Sequence, residues 1–200
     1  VVNEYIEMLK SMLLKLDDRF IFKENKYWQY LTHDIDVLYL WKGWAQVSRI
    51  AIGDMLKRRS VGLAFSRFTE FFNIQYKNAK DPFDTFDWIM DKSESIGTKS
   101  RFYFMSGGTS RKYDNRYNIA EPKALEQIEN INKRGHIIGF HPSYNAYNDF
   151  EQFKEEKELL EKVSSIKLNE SREHYLRFEV PNTWQIWEDN GMEVDSTCGY

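Results

Sequence analysis

The sequence predicts an α/β fold with parallel strands. Short strand-like segments alternate with longer segments of helical spacing along most of the 200 residues. Helices between successive strands favour right-handed crossovers, and ligands then gather at the carboxyl ends of the strands. Polar residues at or just beyond three predicted strands fit this arrangement.

In the first half of the chain, apolar residues between Ile6 and Leu14 recur at broadly helical spacing. They predict an amphipathic helix over residues 1–15, packed outside the first strand. That strand covers residues 30–40, where alternation places Asp34 and Asp36 on one face. The other elements predicted in this half are helices over 41–59 and 86–96 and a strand over 101–105, with 65–81 left unassigned.

In the second half, Pro122 suits the first turn of a helix that ends before Gly135. Asp149 is expected to cap a helix that runs from 150 to about 166. The remaining predicted elements are strands over 136–141, 174–178 and 192–197 and a short helix over 183–189.

Composition excludes several classes of protein. Hydrophobic residues make up 42% of the chain, which supports a folded core. A net charge of −3, from 28 basic and 31 acidic residues, argues against nucleic acid as a partner. The single cysteine, Cys198, excludes an internal disulfide framework and a cysteine-rich zinc cluster. Because neither a membrane-length apolar run nor a signal peptide is recognisable, we expect a cytoplasmic protein.

Three polar groups lie at or beyond separate predicted strands, within residues 32–36, 135–143 and 175–178. In a parallel fold their carboxylates, histidine and arginine would meet at one mouth. A carboxylate and a neutral imidazole can hold a divalent cation, while a second carboxylate takes a proton from bound water. The pattern therefore indicates metal-assisted hydrolysis, with the arginine paired to the second carboxylate.

These segments resemble motifs of the polysaccharide deacetylases, which carry the NodB-homology domain and form carbohydrate esterase family 4. The family motif T-F-D-D-G is matched loosely by residues 32–36, Thr-His-Asp-Ile-Asp. Residues 135–141, Gly-His-Ile-Ile-Gly-Phe-His, closely match the first part of the family stretch G-H-E-I-G-x-H-[ST]-x-x-H. This is the most specific match. A third motif, which begins with arginine and leads to proline, resembles residues 177–181. The resemblance covers roughly residues 30–200.

The resemblance implies a distorted (β/α) barrel over residues 28–200, incomplete at its C-terminus, after a helical extension over 1–27. It implies a hydrolase that removes N- or O-acetyl groups from sugars with a divalent metal, most simply zinc. By the same likeness Asp34 is the general base, Asp36 and His141 are metal ligands, and Arg177 tethers the base.

The sequence also departs from the family pattern. Ile35 separates two acids that are adjacent in the family, so the roles of base and ligand can be exchanged. The second metal histidine of the family falls at Asn145, so His33 or Asn145 is the candidate to complete the coordination sphere. The late histidine that protonates the leaving group has no counterpart here, which predicts either a fragment or a protein without activity.

Other residues receive weaker assignments. Arg111, Tyr113 and Asp114 form a polar loop that is a candidate for binding substrate hydroxyls. Asp195 either lines the same mouth or caps a turn. Side chains expected to have packing roles or no chemistry are His33, His136, His174 and Cys198.

The leading hypothesis is a deacetylase that acts on an acetylated carbohydrate, for example in surface polysaccharide metabolism. The alternative is a catalytically impaired carbohydrate-binding relative. Cleavage of a glycosidic bond is a weaker third reading, because Asp34 and Asp36 are too close in sequence for the usual opposed pair. The oligomeric state is not predicted.

Overall fold

The fold was analysed in a computed structural model, which describes residues 2–23, 29–114 and 117–198. Five parallel strands form one sheet in the order β1-β2-β3-β4-β5. They are Leu31–Ile35, Ser100–Phe104, Ile137–Phe140, Glu170–Ser171 and Val194–Asp195. Sequential parallel strands with intervening helices are the arrangement of a (β/α) barrel, so the predicted α/β fold class is confirmed.

Seven α-helices lie among the described residues. Helices α5 and α6 match their predicted starts: Pro122 occupies the first turn of α5, and Asp149 accepts a hydrogen bond from the Gln152 amide at 3.0 Å to cap α6. The seven helices are Val2–Leu16, Trp44–Lys57, Val61–Tyr76, Phe86–Ser95, Pro122–Lys133, Phe150–Ser164 and Asn182–Asp189. None of them is long and apolar enough to cross a membrane.

The main core lies between the sheet and helices α4 to α7. Aromatic side chains of β2 and β3 form its centre, since Phe102, Phe104 and Phe140 are fully buried. A smaller cluster of Trp41, Val47 and Phe71 joins the β1–α2 connection to the α2–α3 hairpin. The α2–α3 pair is therefore a second packing unit beside the barrel sheet.

Several predicted elements differ from the observed ones. Strand β1 ends at Ile35, opposite the last residue of its partner β2, so Asp36 lies just beyond the strand rather than within it. The unassigned segment contains most of α3, which begins with Ser60 as its cap. In helix α1 the side chains from Asn3 to Leu16 are largely exposed. The predicted boundary between residues 27 and 28 falls outside the described residues.

The predicted strand over 174–178 is wrong. Residues His174–Leu176 form a single 3-10 turn, in which Tyr175 and Leu176 have positive φ and are exposed. The strand is Glu170–Ser171, which pairs with Phe140 on one side and with β5 on the other. Arg172 rather than Arg177 therefore follows the carboxyl end of this strand, and His174 follows it as well.

Candidate metal centre

The carboxyl ends of β1, β3 and β4 bring three metal-ligating side chains together. Asp36 immediately follows β1, His141 immediately follows β3, and His174 lies three residues after β4. One potential ligand atom from each lies within 4.8 Å of the others. These segments are distant in sequence, so the parallel sheet is what assembles the cluster.

Within this cluster, Asp36 Oδ1 lies 3.4 Å from His141 Nε2 and 3.8 Å from His174 Nε2. Both imidazoles are buried, whereas 56% of the Asp36 side chain is exposed. The cluster thus has a closed side formed by the two histidines and an open side at the carboxylate.

The orientation of the His141 ring is set by the backbone. Its Nδ1 lies 2.6 Å from the carbonyl oxygen of Arg172. A carbonyl only accepts hydrogen bonds, so Nδ1 carries a proton and Nε2 is the ring atom that faces Asp36. A second hydrogen bond of this kind orients metal-ligating histidines in proteins.

The other imidazole, His174, packs against His141 with ring centroids 5.0 Å apart. Its Nδ1 is buried, has no hydrogen-bond partner among residues 2–23, 29–114 and 117–198, and lies 3.9 Å from Asp114 Oδ1. Burial, reinforced by the nearby His141, lowers the pKa of His174. The ring is therefore favoured in the neutral form, which is the form that binds metal ions.

A carboxylate–arginine pair lies beside the cluster. Arg172 donates from Nη1 to Asp34 Oδ1 at 3.1 Å, and from Nη2 to the Thr32 hydroxyl at 2.6 Å. Its Nε donates to the carbonyl of Ser196 at 3.0 Å, and its guanidinium carbon lies 5.4 Å from the centre of the Tyr103 ring. Contacts on three sides hold this guanidinium in one orientation, and it in turn orients Asp34.

The expectation that Arg177 tethers Asp34 is therefore corrected. Arg177 donates to the Tyr144 carbonyl at 2.7 Å and to Asn145 Oδ1 at 3.3 Å, and it stacks on the rings of Tyr144 and Tyr147. The two arginines are five residues apart in the sequence. Because the predicted strand over 174–178 is wrong, the sequence analysis assigned the role to Arg177 instead of Arg172. Asn145, a predicted ligand, is engaged by Arg177 and donates to the Thr109 hydroxyl at 3.2 Å.

An aromatic rim borders the cluster next to His174. The rings of Tyr113 and Tyr144 stack with centroids 4.1 Å apart, and the exposed Tyr175 ring meets both edge-on. Tyr113, a predicted substrate residue, thus lies on this rim. Arg111, which is also a predicted substrate residue, is exposed on the same loop as Tyr113.

Asp195, which the sequence places either at the same mouth or as the cap of a turn, lies in β5. Its Oδ1 accepts a hydrogen bond from the Thr197 amide at 2.7 Å, which is the turn-capping alternative. The Thr197 hydroxyl in turn accepts from the Glu173 amide at 3.0 Å, so this turn supports the segment that carries His174.

Two buried carboxylates hold the loops around the cluster. Asp114 accepts hydrogen bonds from the amides of Ser110 and Tyr144, the latter at 2.7 Å. Glu156 accepts from the amide and hydroxyl of Ser143 at 2.9 and 2.6 Å. The loop that follows His141 is therefore attached both to the loop after β2 and to helix α6.

Two histidines expected to have packing roles do have them. His136 Nδ1 accepts a hydrogen bond from the Ser100 amide at 2.9 Å, and the His33 ring lies 3.1 Å from the Ser100 hydroxyl. His33 also packs on Phe102, so its ring belongs to the interior between β1 and β2.

Sequence reasoning missed His174 and Arg172. The signal that could have identified them is the run Arg172-Glu-His174-Tyr, in which a basic side chain and an imidazole follow a short polar strand. The predicted strand placed this imidazole at the amino end of an element, away from the expected mouth.

Comparisons with known proteins find similarity among solved structures. No protein-family model matches the chain, and no curated protein matches it significantly. The chain is similar to a Mycobacterium smegmatis protein named as a polysaccharide deacetylase, at 15% identity and a TM-score of 0.49. That similarity covers 84% of this chain and 50% of the other.

Two further similar structures cover less of the chain. One is the chitin deacetylase of the fungal pathogen Colletotrichum lindemuthianum, at 15% identity, a TM-score of 0.44, and coverage of 57% of this chain and 50% of the other. Another is the Bc1960 peptidoglycan N-acetylglucosamine deacetylase, at 18% identity and a TM-score of 0.42. That similarity covers 56% of this chain and 50% of the other. The chain spans about half the length of each of these structures.

Proposed function

We propose that this chain is a metal-dependent hydrolase that removes acetyl groups from a carbohydrate, with an acetylated surface polysaccharide as the substrate class. The observation that carries the proposal is the cluster of Asp36, His141 and His174 beside the Asp34–Arg172 pair. Such a set combines potential metal ligands with a separate, oriented carboxylate.

The donor set fits a divalent ion. Two imidazoles and one carboxylate are a common protein ligand set of catalytic zinc, which keeps a position open for water or substrate. Ligand atoms about 2.1 Å from one tetrahedral ion lie about 3.4 Å from each other. The observed separations of 3.4 and 3.8 Å from the Asp36 oxygen agree with that value. When bound, the ion would polarise the acetyl carbonyl and lower the pKa of water.

The two aspartates receive different roles in this proposal. Asp36 is a ligand because it lies against both imidazoles, and Asp34 is the general base because its partner is Arg172. Asp34 accepts the proton of the attacking water, and Arg172 holds the carboxylate oxygen in place during that transfer. The sequence alone left open which of these two aspartates is the base and which is the ligand, and the proposal assigns one role to each.

The aromatic rim supports a carbohydrate substrate. Sugar rings present apolar C–H faces that pack on aromatic side chains, while their hydroxyls bond to polar groups around them. The exposed Tyr175 ring directly follows a proposed ligand, and the stacked Tyr113–Tyr144 pair lies against it. These rings would orient a sugar so that its acetyl group faces the cluster.

The test combines metal analysis with acetate release from acetylated oligosaccharides. The purified chain should bind about one divalent ion, and activity should disappear with a chelator and return with zinc. His174→Ala should lose the ion, whereas the matched control His33→Gln should keep it because His33 lies outside the cluster. Asp34→Asn should keep the ion and lose acetate release by about a hundredfold or more.

Two results would overturn the proposal. One is a chain that binds no divalent ion and releases acetate equally well with Asp34→Asn. The other is saturable glycan binding with no acetate release under any metal loading, which would establish a non-catalytic carbohydrate-binding protein instead.

A further inference from the structure

A cavity outside the proposed metal centre lies between helix α3 and the start of α5. It has a volume of about 520 Å³, within the range of small-molecule binding sites. Its lining includes Phe71 and Ile74 of α3, Glu121 and Lys123 at the start of α5, and Tyr39 and Trp41 of the β1–α2 connection. None of these residues belongs to the proposed metal centre.

Three polar atoms around this cavity lack hydrogen-bond partners in the described structure. They are the Tyr39 hydroxyl, the Trp41 indole nitrogen and Glu121 Oε1, and all three are buried. The Trp41 residue is 7% exposed. Buried polar groups are normally paired, because burial without a partner forfeits their bonds to water. We infer from three such atoms at one cavity that a ligand binds there and pairs with them through hydrogen-bond acceptors and donors of its own.

Charge around the cavity is balanced. Lys42 and Lys123 contribute two positive charges, and Asp81 and Glu121 contribute two negative charges. A strongly charged ligand would meet as much repulsion as attraction there, so the balance favours a neutral, polar one. Aromatic rings of Tyr39 and Trp41 add apolar faces beside the polar atoms. Apolar faces with hydroxyl donors and acceptors around them describe a sugar ring.

The cavity is close to the proposed metal centre along the chain. Tyr39 follows Asp36 by three residues, which span at most about 11 Å of backbone. Tyr117, which also lines the cavity, donates its hydroxyl to the carbonyl of Ile35 at 2.8 Å. A polymer with one unit at the metal centre would therefore have neighbouring units within reach of the cavity.

We propose that this cavity is a binding site for a neutral saccharide unit, distinct from the metal centre. The Trp41 N–H donates to a sugar oxygen, Glu121 accepts from a sugar hydroxyl, and the Tyr39 hydroxyl exchanges a hydrogen bond with the same unit. The assignment of this unit to the polymer that is deacetylated rests on the proposed function, whereas saccharide binding itself does not.

The test measures binding of a β-1,4-linked N-acetylglucosamine tetramer to the full chain by calorimetry, with no metal added and a chelator present. Trp41→Phe keeps the aromatic character and removes the N–H, and Glu121→Gln keeps the shape and removes the charge. Each should weaken binding by about three- to tenfold, because Trp41→Phe removes one hydrogen bond and Glu121→Gln replaces a bond to a charged acceptor by a weaker one to a neutral amide oxygen. The matched control Trp44→Phe, on α2 outside the cavity lining, should bind as tightly as the unchanged chain. Thermal unfolding of each variant checks that it is folded. If Trp41→Phe does not fold, the binding of the tetramer to Glu121→Gln decides the test.

The proposal is overturned if the unchanged chain does not bind the tetramer, or if both cavity variants bind it as tightly as the unchanged chain. His141→Ala separates this outcome from the proposed function, because it removes a proposed metal ligand and leaves the cavity intact. Tetramer binding that survives His141→Ala and is weakened by the cavity variants supports the saccharide site even if the chain never releases acetate.

Discussion

Glu173 is a buried carboxyl group that lies in the sequence between two residues of the proposed metal site, Arg172 and His174. It is 1% exposed, the Trp187 indole donates to its Oε1 at 2.8 Å, and its Oε2 has no hydrogen-bond partner within the described chain. Burial raises the pKa of Glu173 to about 8, and the negative charge of Asp195 adds to this. Replacing it by glutamine mimics the protonated side chain and keeps the acceptor for Trp187.

The sign of the effect follows from proton binding. In the unfolded chain the carboxyl loses its proton near its ordinary pKa of 4.5, whereas in the folded chain it keeps the proton up to about 8. Between these values the folded state binds more protons, so the free energy of unfolding falls as pH rises. The contribution of the protonated Glu173 carboxyl to the free energy of unfolding is fully present below pH 4.5 and is lost above pH 8. At pH 7 the accumulated loss is about 3 to 4 kcal/mol, from about 2.5 pH units at ~1.4 kcal/mol each.

We therefore expect Glu173→Gln and the unchanged chain to have similar stability at pH 4 and to diverge as pH rises, with the variant more stable by about 3 to 4 kcal/mol at pH 7. Urea unfolding at pH 4, 5.5, 7 and 8 measures this difference. Glu155→Gln, which removes an exposed carboxylate from helix α6, is the control and should run parallel to the unchanged chain. A Glu173→Gln difference that stays constant with pH would refute the reasoning.

Three further predictions concern side chains around the centre. Arg172→Met should lower kcat for acetate release by about a hundredfold with metal content unchanged, because Asp34 loses its orientation; equal kcat would contradict this. Asp114→Asn should weaken metal affinity about tenfold or more in chelator competition, since it removes the charge behind His174; unaltered affinity would refute that role. Gly139→Ala should destabilise the chain by about 1–3 kcal/mol in urea, as its Cβ would lie 2.0 Å from the Tyr103 ring; Gly53→Ala, with open space, should not destabilise it.

The predicted helices with clear end signals agree with the structure. Pro122 and Asp149 define helix starts through local chemistry, because a missing amide and a side-chain acceptor act within one turn. The convergence of Asp36 and His141 was also predictable, since both directly follow strands and parallel strands end at the same edge.

The shortest strand could not be predicted from its residues. Glu170–Ser171 carries no alternating apolar pattern, and it is a strand only because β3 and β5 lie on either side of it. Tyr175 and Leu176 resemble strand residues in sequence, yet both are exposed in a turn with positive φ. Propensity was overridden here by pairing with distant segments.

The sequence by itself determined the α/β class, the helices other than α3 and two residues of the cluster, because periodicity and capping act over a few neighbouring residues. Only the tertiary structure decided that His174 rather than Asn145 joins Asp36 and His141, and that Arg172 rather than Arg177 holds Asp34. These choices depend on where a two-residue strand pairs. That pairing is a property of the assembled sheet and not of the local sequence.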